Sequence, residues 1–438
     1  MNTAALLWAS PFLAHAGTIL PDGVQQKVLD NGLTVVALPL PSDLVALQIW
    51  ADVGSRHEVA AGTTGYAHFF EHLMFRGSEN VSASAREERM LQLSAVDNAW
   101  TSTDHTCYHA IAPADRLASL LDLEADRFQH LALTPASVEQ ESGAVMGEFR
   151  KGASSPGTLL YETLYATAYT THTYQHSTIG YEQDVLAMAS GYDIAQRFYA
   201  DHYRPDRTTV VIAGGIDPQV AIAAVEERMG GWAPAEVEPL PIPTEPAQAE
   251  TRRAHIDWEG GATQPRVVLA WKGPAYDPAS ADSAALGLIE AMLSSETAPL
   301  HQALVKDKQL AWSLWSEAPA QVDPGLLTVA VRLRDGVAPE AVEAEVEAAI
   351  AALRAVSPET LAETQAWARR RLLLSLDDPA GWASQVGWYA AQGFGPEGIE
   401  QHLDALMALQ PADIQAAIDH WLVPGHKTVV TLSAVESP

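Results

Sequence analysis

The sequence predicts an α+β protein made of two similar domains, each a mostly antiparallel sheet packed with helices. Three observations lead to this fold class: the length of the chain, a proline-rich segment near its middle, and an order of strand-like and helix-like segments that recurs after that segment. At 438 residues the chain is longer than one hydrophobic core usually organises. Its composition, 47% apolar and 18% charged, is that of a globular protein.

The first half mixes strands and helices. Residues 27–53 indicate strands, because Asn31-Gly32 is a hairpin signal and the apolar residues from Val45 to Val53 alternate onto one face. A helix is predicted from about Gly65. Two further helices are predicted over 113–130 and 135–151, each opening with a proline. Residues 208–213 form a β-branched run typical of a buried strand.

A proline-rich linker is predicted over 233–250, where five prolines are interleaved with acidic and small residues. It separates an N-terminal domain at 20–232 from a C-terminal domain at 251–438. In the second domain the strands are predicted at 266–271, 311–316, 326–333 and 428–433, and a helix from Ser280. This order resembles the first half only in architecture.

Residues 1–19 are a possible signal segment. The apolar stretch from Ala4 to Leu13 is followed by Ala14-His15-Ala16, the small-x-small form of a signal-peptidase site, although no Lys or Arg precedes it. This pattern favours a periplasmic or exported protein, with a cytoplasmic one as the alternative. No later segment has the roughly 20 continuous apolar residues of a membrane span, and no membrane span is expected.

Charge and cysteine content exclude several classes of function. The formal net charge of -29 disfavours nucleic acid and anionic membranes as partners and favours cationic peptides. The same charge is also typical of a protein that is simply kept soluble. The one cysteine, Cys107, cannot form an intrachain disulfide or a Cys-rich metal site, so any metal must have His and carboxylate ligands.

A candidate metal site lies in the predicted helix after Gly65. His68 and His72 are four residues apart, so on a helix both imidazoles project from one face and can reach a single zinc ion. Glu71 shares that face and is placed to take a proton from water, as peptide hydrolysis requires. The alternative is a solvated helix face with two ordinary histidines. Two other pairs, His172 with His176 and His105 with His109, fall in a predicted loop and strand.

The run from Gly65 to Ser78, which contains His68-Phe69-Phe70-Glu71-His72, resembles the pitrilysin and insulinase family of zinc metallopeptidases, in particular its short members similar to mitochondrial processing peptidase and bacterial two-subunit homologues. In that family a helical Glu about 76 residues beyond the second His is the third zinc ligand, which implies Glu148. The resemblance implies that Glu141, two helical turns earlier, is an assisting carboxylate near the metal.

The resemblance also implies a substrate-binding strand and an enclosed chamber. Asn98, Ala99, Trp100 and Thr101 resemble the family's Asn-Ala-x-Thr strand, whose free edge adds a peptide substrate as an extra strand. The alternative is a plain sheet strand. Family members of this length form one half of a clamshell, so a zinc-dependent endopeptidase or oligopeptidase is expected. A non-catalytic assembly subunit of the same fold is the alternative.

One departure from the family predicts a partner chain. Many members carry a run Leu-Arg-Glu-x-x-Gly-Leu-Ala-Tyr, whose Arg and Tyr hold the substrate carbonyl. The corresponding run here begins at Leu304 and has Val305 and Trp312 in place of the Arg and the Tyr. We therefore expect a heterodimer in which a homologous subunit supplies both donors. A homodimer that uses other donors is the alternative.

Overall fold

The computed structural model describes residues 18–234 and 240–435; nearly all of the possible signal segment lies outside these residues. The first domain contains a six-stranded sheet with the spatial order β1-β2-β6-β3-β5-β4. Its strands are β1 (Gln25–Val28), β2 (Thr34–Pro39), β3 (Leu44–Ala51), β4 (Val96–Thr101), β5 (Thr106–Pro113) and β6 (Thr208–Gly214). The only parallel neighbours in it are β2 and β6. The predicted Asn31-Gly32 turn joins β1 to β2, with Gly32 at a φ of 91°.

The second domain repeats this topology. Its strands are β7 (Arg252–Trp258), β8 (Arg266–Lys272), β9 (Ala311–Glu317), β10 (Leu326–Leu333) and β11 (Lys427–Ala434). The spatial order is β7-β11-β8-β10-β9. The last strand β11 lies parallel beside β7, as β6 lies parallel beside β2 in the first domain, and the other neighbours are antiparallel. The second sheet has no counterpart of β1 among the described residues. The prediction of two similar α+β domains is therefore confirmed.

Helices pack on both sheets. In the first domain they are α1 (Tyr66–Leu73), α2 (Ala83–Gln92), α3 (Leu117–Gln129), α4 (Pro135–Ala153), α5 (Pro156–Ala168), α6 (Glu182–Ala187), α7 (Tyr192–His202) and α8 (Pro218–Met229). In the second they are α9 (Ala281–Ser294), α10 (Pro299–His301), α11 (Pro339–Leu353), α12 (Pro358–Leu374), α13 (Pro379–Ala391), α14 (Gly398–Ala408) and α15 (Pro411–Trp421). Within the described residues no helix has the length and apolarity to cross a bilayer.

One predicted boundary was wrong. The helix expected over 113–130 begins only at Leu117, because Pro113 is the last residue of β5 and pairs with Leu44 of β3. The second proline was interpreted correctly, since Pro135 is the first residue of α4 and follows the capping residue Thr134, whose hydroxyl accepts from the Ser137 N–H.

The two domains exchange helices. Helix α5 belongs to the first domain in sequence, yet its Leu160, Leu164 and Ala168 pack on the second sheet, against residues such as Val268 and Val430. Helix α13 does the reverse, and its buried residues cover the outer face of the first sheet. The residues in that contact include Ala383, Val386 and Ala390 of the helix with Ala46, Trp50 and Val211 of the sheet. Each sheet thus completes its core with a helix from the other half of the chain.

An ion network joins the domains beside these helices. Asp323, in the turn between β9 and β10, lies 2.5 Å from Arg56 Nε and 2.9 Å from His172 Nε2. The described part of the linker is fixed nearby, where the Glu245 carboxylate accepts hydrogen bonds from the backbone of Thr171 and from Lys272. These charged contacts and the exchanged helices together form one interface between the two domains.

Candidate metal centre

Helix α1 is fixed at its first turn. Gly65, which precedes it, has a φ of 89°, and a Cβ added there would lie 2.5 Å from the Ile179 carbonyl oxygen, so glycine is required. The buried Glu58 carboxylate accepts hydrogen bonds from the N–H groups of Gly65 and Ala67 at 2.8 and 2.7 Å. These bonds satisfy donors that a helix start otherwise leaves free.

The opposite faces of α1 have different roles. Phe69 and Phe70 are fully buried in the core of the first domain, and the Phe70 ring stacks on Phe198 at 5.4 Å between centroids. With this face locked, the remaining face presents His68, Glu71 and His72 toward α4 and β4, as the helical spacing predicts.

Three predicted ligands converge. Glu148 Oε2 lies 3.4 Å from His68 Nε2 and 3.6 Å from His72 Nε2. A tetrahedral metal about 2.1 Å from each of its ligands separates those ligands by about 3.4 Å. The spacing therefore fits a zinc ion with two imidazoles and one carboxylate, a donor set that leaves a position open for water or substrate. These three residues form the metal-type cluster found in the described part of the chain.

Glu71 lies beside the ligands without being one of them. The Thr101 hydroxyl donates a 2.6 Å hydrogen bond to Glu71 Oε2. Burial raises the pKa of Glu71, while the bond from Thr101 and the neighbouring His72 act in the opposite direction. The bond from Thr101 thus fixes the orientation of the Glu71 carboxylate beside the ligand cluster.

Glu141 contacts His72 on the side of the ring that faces away from the other ligands. Its carboxylate is 3% exposed and lies 3.4 Å from His72 Nδ1, the ring nitrogen turned away from the ligand cluster. Arg76 donates a hydrogen bond to the other oxygen of Glu141. Burial alone would raise the pKa of Glu141, but the contacts with His72 and Arg76 outweigh it and lower the pKa. A charged carboxylate on Nδ1 orients the ring so that Nε2 faces the metal position.

The two histidines have different electrostatic surroundings. Burial, with repulsion from His72, lowers the pKa of His68 to about 4, which favours the neutral imidazole that a metal requires. The hydrogen bond with Glu141 raises the pKa of His72. His68 Nδ1 is buried without a hydrogen-bond partner among the residues described, so His68 lacks the carboxylate support that His72 has.

Strand β4 is an edge strand, and its last residue, Thr101, contacts Glu71. It pairs on one side with β5, and no strand of the described chain occupies its other side. Asn98 and Trp100 are exposed, Ala99 is buried, and Thr101 makes the contact with Glu71. The predicted substrate-binding residues therefore lie along a free edge that leads into the ligand cluster.

The other predicted residues lie elsewhere. His172 and His176 flank a short turn at Thr173–Gln175, and His172 belongs to the network between domains. In the second domain Val305 packs against the core. Trp312 is 45% exposed, and the Arg334 guanidinium lies over its ring, 4.0 Å from the ring centroid.

Sequence reasoning missed Arg76 and Glu58. Arg76 stands four residues after His72, a spacing that indicates a position near His72 but not the contact with Glu141. Glu58 has no such signal, since it caps α1 from a loop seven residues before Gly65.

Two equivalent domains, with a His-x-x-Glu-His helix beside a free strand edge, define the class of chains with the inverted zinc-peptidase motif. The chain belongs to peptidase family M16, the insulinase family. The family model described as "Insulinase (Peptidase family M16)" matches residues 34–182. The model described as "Peptidase M16 inactive domain" matches residues 192–366.

Three curated relatives illustrate the family. "Uncharacterized zinc protease YmxG" of Bacillus subtilis is 27% identical over 314 residues, which cover 70% of this chain and 73% of that protein. Human "Cytochrome b-c1 complex subunit 1, mitochondrial" is 28% identical over 296 residues, 67% of this chain and 59% of the subunit. "Probable mitochondrial-processing peptidase subunit beta" of Schizosaccharomyces pombe is 28% identical over 396 residues, 85% of this chain and 82% of that protein.

Solved structures share the fold. A protease from Helicobacter pylori superposes with a TM-score of 0.88 at 24% identity, covering 94% of this chain and 99% of that chain. The periplasmic protease PqqL from Escherichia coli gives a TM-score of 0.76 at 18% identity. That comparison covers 94% of this chain but 48% of PqqL, so this chain has the fold of one half of a longer molecule.

Proposed function

We propose that this chain is a zinc-dependent endopeptidase or oligopeptidase, the catalytic subunit of a two-chain enzyme that cleaves peptides or unfolded segments in an enclosed chamber. The observation that carries the proposal is the position of Glu71. Its carboxylate stands beside the set of His68, His72 and Glu148 and is held by the last residue of a free strand edge.

The residues of the site divide the chemistry among them. His68, His72 and Glu148 would hold a zinc ion, which supplies Lewis acidity that polarises the scissile carbonyl and makes water more acidic. Glu71 takes the proton from water and returns it to the leaving amine. The free edge of β4 binds the peptide by main-chain hydrogen bonds, which admit varied side chains.

A second chain completes this enzyme in our proposal. Val305 and Trp312 leave the site without the Arg and Tyr that related chains carry in this run, and a homologous subunit would supply them. The fission yeast relative is named as a subunit, and PqqL is about twice as long as this chain. A homodimer that uses other donors remains the alternative arrangement. The net charge of -29 favours basic peptides as substrates through long-range attraction.

The catalytic proposal is tested with Glu71→Gln beside the wild type. We expect both proteins to bind one zinc ion per chain and only the wild type to cleave a mixture of unstructured peptides. Glu87→Gln, an exposed change on α2, is the matched control and should leave cleavage unchanged. Equal cleavage by Glu71→Gln, or no stoichiometric zinc in either protein, contradicts the proposal.

The two-chain proposal is tested by cleavage with and without homologous chains that carry the Arg-Tyr run but lack the His-x-x-Glu-His motif. We expect cleavage to rise at least tenfold when the correct chain is added. Full cleavage by the purified chain alone argues for the homodimer.

A non-catalytic assembly subunit is the second candidate function. It is favoured by the relationship to the human cytochrome b-c1 complex subunit. It leaves unexplained why Glu71 and Glu148 are both present and correctly placed. Absence of cleavage with every homologous partner, together with stable incorporation into a larger complex, would establish it.

Export to the periplasm is the location we propose, and its basis is the pattern in residues 1–19. A cytoplasmic location is the alternative. Amino-terminal sequencing of the protein from fractionated cells should show a mature chain that begins near Gly17, just after Ala16.

A further inference from the structure

Arg266 and Arg332 face each other at one end of the second sheet. They are paired in register between β8 and β10, on the face of the sheet that α5 covers. Like charges in directly opposite positions destabilise a sheet. In a chain with 55 acidic residues, neither guanidinium has a carboxylate partner among the residues described.

Arg266 is the more constrained of the two. Its Nε is buried and has no hydrogen-bond partner in the described part of the chain. Burial, together with the charge of Arg332, lowers the pKa of Arg266. Its Nη1 also lies against the first turn of α5, because a Cβ added at Gly157 would come within 2.9 Å of it. A helix start is itself electropositive, so the first turn of α5 adds no negative charge that would stabilise Arg266.

The arginine pair lies near a cavity that borders both the end of β4 and the first turn of α5. A cavity of about 430 Å³ is lined by Thr103, which follows β4, and by residues of α5 that include Gly157, Thr158 and Glu162. Thr103 follows two residues after Thr101, which holds Glu71. A peptide on the β4 edge that continued through this cavity would reach the first turn of α5, against which Arg266 Nη1 lies.

We propose that Arg266 and Arg332 bind a carboxylate of the peptide substrate. The inference rests on the proposed function for the identity of the ligand, and on the unpaired arginines for the site itself. A planar guanidinium binds a carboxylate through two parallel hydrogen bonds, and the second arginine adds charge. The carboxylate belongs either to an Asp or Glu side chain or to the peptide's C-terminus.

Neighbouring acidic residues select the class of anion. Glu259 and Asp335 line an open cavity beside Arg266, and neither forms an ion pair with it in the described structure. Their charge opposes a doubly charged phosphate more strongly than a singly charged carboxylate. The long-range attraction for basic peptides and this local site together favour peptides that carry both signs of charge.

Direct binding tests the proposal without requiring catalysis. Fluorescently labelled peptides are titrated into the zinc-loaded Glu71→Gln protein and followed by anisotropy. One set replaces Glu by Gln at each position in turn, and the other compares a free C-terminus with an amide. We expect one carboxylate to tighten binding roughly tenfold or more, since hydrogen bonds between charged groups are the strong ones.

The two peptide sets distinguish a side-chain carboxylate from the C-terminal one. When Arg332→Gln is introduced into the Glu71→Gln protein, the preference for the carboxylate-bearing peptide should be lost. The exposed Arg89→Gln on α2, introduced in the same way, should leave that preference unchanged. Peptide affinities that are indifferent to every carboxylate, or a preference that survives Arg332→Gln, overturn the proposal. If the wild type proves inactive while the preference is present, the proposed function fails and the carboxylate site stands.

Stability gives a second and independent measurement. In the peptide-free protein, Arg332→Gln removes one of two opposed charges and should leave the urea midpoint unchanged or raise it. A structural role for Arg332 predicts a lowered midpoint, and that result contradicts the proposal. Arg266→Gln serves as the second variant for the binding assay if Arg332→Gln does not fold.

Discussion

At the scale of single residues, His72 depends on two neighbours that do not reach the metal position. Glu141 faces His72 Nδ1, and Arg76 holds Glu141 in its charged form. Such carboxylates fix the ring orientation and the tautomer of a metal-binding histidine. His68 has no equivalent partner among the described residues, so the two histidines are unequally supported.

The first prediction concerns zinc affinity. Glu141→Gln should weaken zinc binding roughly 10- to 100-fold, because the amide is a weaker acceptor and no longer supports the His72 ring. Competition with a chromogenic chelator measures this at neutral pH. Glu139→Gln, an exposed change two residues away on α4, is the control. Equal zinc affinities for the two variants would show that Glu141 plays no part in holding the metal.

Gln309 has a strained backbone conformation. Gln309, between the π-helical turn at Gln302–Asp307 and β9, has a φ of 49°. In the family's run Leu-Arg-Glu-x-x-Gly-Leu-Ala-Tyr, glycine stands at this place. A left-handed conformation costs a non-glycine residue about 1–2 kcal/mol, part of which a glycine loses again through its greater freedom when unfolded.

We therefore predict that Gln309→Gly raises the free energy of unfolding by about 0.5–1 kcal/mol. Gln309→Val should lower it by about 1 kcal/mol or more, because a β-branched residue tolerates positive φ poorly. Urea unfolding of both variants measures the effect. If the two changes shift stability in the same direction, the φ angle at Gln309 is not the cause.

At the scale of elements, the free strand β4 is anchored from beneath by a buried ion network. Arg86 of α2 lies 2.7 Å from Asp97 of β4 and 2.8 Å from Glu124 of α3, and Glu124 also pairs with Arg127. The network fixes β4 through Asp97, whose side chain projects from a face of the sheet toward Arg86. The edge that is proposed to bind substrate is thus kept in register with Glu71.

Removal of Arg86 tests this anchor. Arg86→Met should lower the free energy of unfolding by about 3–5 kcal/mol, since it leaves Asp97 and part of the charge on Glu124 uncompensated. The exposed Arg89→Met, one helical turn later, should change it by less than about 0.5 kcal/mol. Hydrogen exchange at Asn98 to Thr101 should also speed up in Arg86→Met alone. Unchanged exchange would show that β4 is held by other contacts.

The sequence identified elements better than it identified their neighbours. Alternating and β-branched patterns predicted most strands of both sheets, but β7 was not predicted and β4 was implied only by the family resemblance. The i, i+4 spacing indicated His68 and His72 because it is local, whereas Glu148 was implied by the resemblance. The start of α3 was misplaced, since a proline suits a strand end as well as a first turn. The exchange of α5 and α13 was not foreseen, because an amphipathic pattern marks an apolar face but not the sheet that covers it.

At the scale of the whole molecule, the exchanged helices couple the two domains. Without α13 the outer face of the first sheet is uncovered, and without α5 the second sheet loses one side of its core. The domains therefore cannot separate without exposing two apolar faces to water. Calorimetry should show one cooperative unfolding transition, and two resolved transitions would contradict this coupling.

The ion network between the domains adds a dependence on pH. The contact with His172, together with Arg56, lowers the pKa of Asp323 to about 2, from an ordinary value of 3.8, although burial acts in the opposite direction. A depressed carboxyl pKa stabilises the fold at pH values above the unfolded pKa, and this contribution is lost as the pH falls toward 2.

We predict that Asp323→Asn destabilises the protein at pH 6 and that its difference from the wild type shrinks between pH 4 and pH 2. Unfolding in urea across that range measures the difference. Asp335→Asn, an exposed change that lies outside the network, should show no such convergence. A difference that stays constant with pH would mean that Asp323 stabilises the interface without its charge.

The exchange of helices also determines the order in which the two sheets can be covered while the chain is being synthesised. Helix α5 emerges first, yet the sheet that it covers is finished only with β11, at Lys427–Ala434. The first sheet likewise waits for α13, made more than 150 residues after β6. The main core of the first domain, formed by residues between Leu29 and Trp232, can be buried before α13 is made, but the outer face of the first sheet stays exposed until α13 follows. The nascent chain therefore exposes an apolar sheet face while the second domain is being made, and chaperones can bind it there.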